Sequence, residues 1–279
     1  MTHKLLFILF PGWGVIKKGW DTVNYNPNSG KIEKNNFITE LKKLGKIYFY
    51  EPQYHNIYHY SGQKGDDKWF DKNIDFTKDD LDIDKVCEKI YNDVKNFNGK
   101  LVMLGHSMGA LFVYHFIQKY ASKCLFAIII DGMFITSYSS VGFTNPQKYE
   151  MLIKKYTKYN DDDIKNMIDK VKKGNKNALK NMDDLIFCNI TKNPWFAKNI
   201  KKFNVPMLSF FNYKADSTHK IGKKINETKI NDIEHIRKNN SDKDFKIITF
   251  INKSHFPHLI EESKNIILEN IKLMIDKYN

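Results

Sequence analysis

Six short runs of this chain are apolar almost without interruption, and longer amphipathic stretches separate them. That alternation constrains the fold more than any single residue does. The runs are KLLFILF (4–10), GKIYFYE (45–51), KLVMLG (100–105), LFAIIID (125–131), VPMLSFFN (205–212) and FKIITFI (245–251). A strand that is apolar on both sides has to be covered on both faces, the condition of a parallel sheet between two layers of helices. Helical patterns fill the gaps at NNFITELKKLG, at DIDKVCEKIYNDVKNF with acids at its start, at 108–120, and in a long final helix with Pro257 near its first turn. The predicted fold class is therefore α/β: a mostly parallel β-sheet of about six strands flanked by helices.

The gap between the fourth and fifth runs is far longer than a crossover helix needs. It holds three lysine-rich amphipathic pieces, YEMLIKKYTKY, DDIKNMIDKVKKG and NALKNMDDLIFCNI. The expected division is a core formed by 1–132 and 204–279, with 133–203 inserted as a helical cap or lid.

The formal net charge is +13, which raises the question of nucleic acid or an anionic membrane as partner. Arg237 is the single arginine among the 45 basic residues. Phosphate and base recognition favour the planar guanidinium fork, so a lysine surface of this kind argues against nucleic acid. Cys87, Cys124 and Cys188 are too scattered for a disulfide framework or a zinc site and read as reduced thiols. The apolar run at 5–10 is shorter than a signal-peptide core and reads better as a buried strand. A cytoplasmic protein without stable membrane insertion is expected. His55 and His59 are spaced i, i+4 but have no third ligand in view, so no metal is expected.

Gly105-His106-Ser107-Met108-Gly109 follows the third apolar run directly and precedes the helical run ALFVYHF. A serine between such glycines, on a sharp strand-to-helix turn, is held in a strained backbone conformation that exposes its hydroxyl. The helix behind it points its positive end at charge developing on an attacked carbonyl. Ser107 is thus the candidate nucleophile, with His106 as a structural neighbour. The loop after the last strand offers His255 as general base, and His258 as a residue of the helix N-terminus or the pocket rim. For the orienting acid, Asp216 follows the fifth strand and is preferred, while Asp131 at the end of the fourth is the alternative. The first strand ends in Phe10-Pro11-Gly12-Trp13-Gly14, whose glycines let the backbone approach a substrate. The amides of Trp13 and Met108 are the candidate oxyanion donors.

These segments resemble the α/β-hydrolase superfamily over essentially the whole chain. GHSMG is similar to the elbow of esterases and lipases, and GHSMGA to that of type II thioesterases. PGWG resembles the HGWG oxyanion segment of carboxylesterases, with Pro11 where those enzymes usually carry histidine. The resemblance implies a cap between the fourth and fifth strands and the chain order serine, acid, histidine. It implies a serine hydrolase that cleaves a carboxylic ester or thioester through an acyl-enzyme, without a cofactor. A thioesterase or acyltransferase, or a ligand-binding protein on the same fold, stands as the alternative. Gly12, Met133, Phe134, Trp195 and Phe196 are the expected substrate-facing residues. The oligomeric state is not legible.

Overall fold

The computed structural model describes residues 4–12, 20, 22–23, 33–52, 76–132, 151–152, 154–191, 205–213, 227, 230, 234, 238, 245–251 and 255–279. The strands are β1 (Leu5–Phe10), β2 (Thr22–Val23), β3 (Glu33–Lys34), β4 (Lys46–Phe49), β5 (Lys100–His106), β6 (Cys124–Ile130), β7 (Met207–Tyr213) and β8 (Phe245–Ile251). The α-helices are α1 (Phe37–Leu44), α2 (Ile83–Val94), α3 (Gly109–Tyr120), α4 (Asp161–Lys172), α5 (Lys176–Thr191) and α6 (Glu261–Tyr278). Six strands form one sheet in the order β4-β1-β5-β6-β7-β8, and every neighbouring pair is parallel. β2 and β3 make a separate antiparallel pair of two residues each. No apolar run announces it.

Alternate residues of each strand enter opposite faces. In β1, Leu6, Ile8 and Phe10 join one buried cluster with Val86, Ile90, Phe112 and Phe116 of α2 and α3. Leu5, Phe7 and Leu9 join the other, with Phe37 and Leu41 of α1 and Ile267 and Ile271 of α6. β5, β6 and β7 divide between the same two clusters, and this double burial is why these strands read as uninterrupted apolar runs, whereas the edge strands β4 and β8 are only partly buried.

α2 and α4 begin where short polar side chains satisfy their first amides. The Asp82 carboxylate accepts from the amides of Asp84 and Lys85 at the start of α2. Asn160 and Asp163 exchange bonds at the start of α4. The buried faces of α4 and α5 (Ile164, Met167, Val171, Met182, Leu185) belong to the same apolar cluster as α2 and α3. A bond from the Lys78 amide to the Asp161 carboxylate, 3.0 Å, ties α4 to the turn before α2. Among the described residues no helix is long and apolar enough to cross a membrane.

After β1 the main sheet gains β4 on one flank of β1, then β5 on the other. The strand order therefore reverses between β1 and β5, the place on the carboxyl edge where sheets of this kind hold their ligands. α3 starts here, hard against the end of β1. A Cβ on Gly109 would overlap the Phe10 carbonyl oxygen, and backbone cannot move aside as a side-chain tip can. Gly109→Ala is expected to destabilise the protein by about 3 kcal/mol or more, beyond ordinary overpacking. A shift in the urea midpoint equivalent to less than about 1 kcal/mol would contradict the close approach.

Candidate active site

Because all six strands of the main sheet run the same way, the carboxyl ends of β1, β5, β6, β7 and β8 lie at one edge. Ser107 follows β5 directly and has φ 51°, in the left-handed region that a side chain disfavours. Its amide donates to the Ile130 carbonyl at 3.1 Å, and its carbonyl accepts from Ala110 at 3.1 Å as α3 begins. The turn is thus locked to β6 behind it and to the helix ahead. It closes only because its flanks are small, since a Cβ on Gly105 would lie 2.6 Å from the Gly109 carbonyl oxygen. From the other side, a Cβ on Gly12 would stand 3.0 Å from the Ser107 Cβ, so the exit of β1 lies directly on the serine. Ser107 itself is 7% exposed.

Asp131 follows β6 and has φ 40°; it and Ser107 are the non-glycine residues with positive φ among the described residues. Strained residues of this kind persist where the surroundings over-determine them, and they gather at functional sites. The surroundings of Asp131 are specific. Its amide donates to the Phe210 carbonyl at 2.7 Å, and its Oδ1 accepts from the Asn212 amide at 3.0 Å. Its Oδ2 lies 2.6 Å from Nδ1 of His255. A carboxylate only accepts, so Nδ1–H of His255 donates and the lone pair of its neutral ring is left on Nε2. Asp131 is 2% exposed while the His255 side chain is 40% exposed, so a buried carboxyl group holds a histidine open to solvent.

The carboxylate on His255 is therefore that of Asp131, the alternative in the sequence. Asp216, the preferred acid there, lies outside the described residues, as do Trp13, Met133, Phe134, Trp195, Phe196, His55 and His59. Gly12 and Met108 are buried beside the turn that carries Ser107. Two contributors went unnoticed in the sequence. The Asn212 group that holds Asp131 is a main-chain amide, which any residue would supply. Gly132 packs against α3, where a Cβ would stand 2.6 Å from the Cβ of Ala110, and nothing in its local sequence announces that contact.

His258 occupies a turn of 3₁₀-helix (Pro257–Leu259) before α6 and is buried, not on the rim. Its ring lies 5.1 Å from that of Trp20, 5.4 Å from Phe37 and 5.0 Å from His106. Burial first, then the neighbouring His106 and His255, hold its pKa well below the usual imidazole value. Burial also pushes the thiols of Cys124 and Cys188 up to about 12, so neither is an activated nucleophile. No group of three or more metal-ligating side chains is assembled among the described residues.

No protein-family model matches this chain, and no curated protein sequence does. Solved structures do resemble it. A putative lipase from Acinetobacter baumannii superposes with a TM-score of 0.57 at 15% identity, covering 100% of this chain and 86% of that one. A monoacylglycerol lipase from Paleococcus ferrophilus gives 0.56 at 14% identity, over 97% and 94% of the two chains. The RedJ thioesterase of Streptomyces coelicolor gives 0.50 at 9% identity, over 97% and 90%. Likeness at such identities establishes the fold, which is that of the α/β-hydrolases.

The buried His258 gives stability a pH dependence of definite sign. In the unfolded chain the imidazole takes a proton below about pH 6.5, whereas in the folded protein it stays neutral well below that. The unfolded state binds the extra proton, so this contribution is whole above about pH 6.5 and is lost as the pH falls, by up to about 1.4 kcal/mol per unit. His258→Phe is expected to flatten that decline in urea titrations between about pH 7.5 and pH 5. An unchanged slope in the variant would show that the ring protonates freely in the folded protein.

Proposed function

We propose that this chain, on its α/β-hydrolase fold, is a serine hydrolase that cleaves a carboxylic ester or thioester through an acyl-enzyme. The observation that carries the reading is the 2.6 Å bond from His255 to the buried Asp131, at the same sheet edge as the strained Ser107. With Nδ1–H committed to Asp131, His255 has its Nε2 lone pair available as a base. In the proposed reaction Nε2 removes the Ser107 hydroxyl proton while Oγ attacks the carbonyl carbon. The resulting imidazolium is stabilised by the Asp131 carboxylate, which does not itself take the proton. The oxyanion is received by the Met108 amide at the start of α3 and by that of Trp13, one residue beyond the Gly12 that lies on Ser107. Nε2–H then protonates the departing alcohol or thiol. Water, deprotonated by the same nitrogen, releases the acid and restores the serine.

In this reading Asp131 takes the orienting role that the sequence alone assigned first to Asp216. The insertion 133–203, with α4 and α5, is the cap. Met133, Phe134, Trp195 and Phe196 lie within or at the edge of that insertion and would face the acyl group. Solved neighbours that include both lipases and a thioesterase support a choice between oxygen and sulfur esters no finer than that.

A fluorophosphonate probe tests the site without knowledge of the substrate. Wild type is expected to label, and Ser107→Ala and His255→Ala are not. Asp131→Asn should lower kcat toward simple esters by about 10⁴-fold, the scale seen when a triad acid becomes an amide. Asp216→Asn should stay near wild type. Silence of the folded wild type would sink the hydrolase reading, and the reverse ranking of the two aspartates would return the orienting role to Asp216.

A further inference from the structure

We propose that His106, the residue before the nucleophile, is a positioning residue that holds His255 by its main chain and so aims the base. The inference rests on the roles given to Ser107 and His255 above. His106 is the last residue of β5 and is 1% exposed. Its Nε2 lies 2.8 Å from the main-chain carbonyl oxygen of His255, 149 residues further along the chain. A carbonyl only accepts, so Nε2–H donates and the tautomer of His106 follows.

The consequence lies in where this bond falls. Residue 255 is grasped twice, at its main-chain carbonyl by His106 and at its ring Nδ1 by Asp131. One tether to the ring would leave the backbone free to carry the imidazole across the site. One tether to the backbone would leave the side-chain torsions free. The two together fix both ends of the residue and leave Nε2 as the unclaimed position. The same His106 belongs to the elbow, so serine and histidine share one rigid reference at the end of β5.

The ring of His106 is itself confined. Its centroid lies 4.8 Å from Phe256, 4.9 Å from His255 and 6.1 Å from Trp20. On the β1 side, a Cβ on Gly12 would stand 2.9 Å from its Nδ1. Glycine at position 12 therefore makes room for this ring as well as for an approaching substrate. The arrangement asks position 106 for a donor at the reach of an imidazole Nε2, and the side-chain amide of glutamine has nearly that reach.

The test compares His106→Phe, which keeps an aromatic ring and loses the donor, with His106→Gln, which keeps a donor. With p-nitrophenyl acetate as probe, the Phe variant is expected to lose ~10- to 100-fold in kcat with little change in KM, the scale of a misplaced catalytic group. The Gln variant should recover most of that loss. Proton NMR gives a readout independent of turnover: the far-downfield proton on Nδ1 of His255 should broaden or vanish in the Phe variant and persist in the Gln variant. Should the Phe variant fail to fold, His106→Asn, one methylene short of the carbonyl, carries the same comparison with Gln. Equal losses in the donor and non-donor variants, or wild-type kcat in both, would overturn the inference. If wild type itself neither labels with fluorophosphonate nor turns over the ester, the failure belongs to the hydrolase reading and not to His106.

Discussion

Everything at the candidate site depends on the parallel pairing of β1, β5, β6, β7 and β8. For β1, β5, β6 and β7 the pairing is held by apolar burial on both faces of the sheet, so none of them can slip without sending core residues into the wrong layer. Parallel strands leave all their carboxyl ends at one edge. Segments far apart in sequence are brought there together: Phe10 to Gly12, Gly105 to Ser107, Asp131 and His255. The chemistry is placed by the hydrophobic pattern and not by any attraction among the polar groups. Those groups are then fixed by short bonds that use main-chain atoms as much as side chains: Ser107 to Ile130, Asp131 to Phe210 and Asn212, His106 to His255.

α4 and α5 share in that core. Ile164, Met167, Val171, Met182 and Leu185 are buried with the residues of α2 and α3 and not in a cluster of their own. Helices packed in this way contribute to the stability of the whole, and α4 and α5 cannot leave the body without exposing apolar faces on both sides.

The sheet was legible because its signal is local. Each observed long strand lies within about two residues of an apolar run, and double burial is what makes such runs conspicuous. The turn at Ser107 was legible for a related reason: Gly105 is demanded by a contact within the turn itself, although Gly109 is demanded by the distant Phe10 carbonyl. The choice of acid was not legible. Asp131 and Asp216 both follow strands whose carboxyl ends meet at the same edge, and the bond from His255 to Asp131 spans 124 residues of sequence. Of the two places open to His258, the start of the final helix holds and the rim does not, because a polar loop before a helix carries no trace of the Trp20 and Phe37 rings that pack against it. A structural His106 agrees with its burial, but its bond to a main-chain carbonyl 149 residues away leaves no mark in the sequence around either partner.

The two positive φ angles carry one more implication. Ser107 and Asp131 each hold a backbone shape that glycine would adopt without strain, and such strain is worth roughly 1–3 kcal/mol per residue. A glycine at either position would relax the backbone while removing a hydroxyl or a carboxylate that the proposed chemistry requires. At Ser107 backbone strain and the proposed chemistry select different residues, whereas at Asp131 the carboxylate also holds the buried Asn212 amide. A search for hardier versions of this protein guided by folding energy alone would tend to erase the site it set out to preserve.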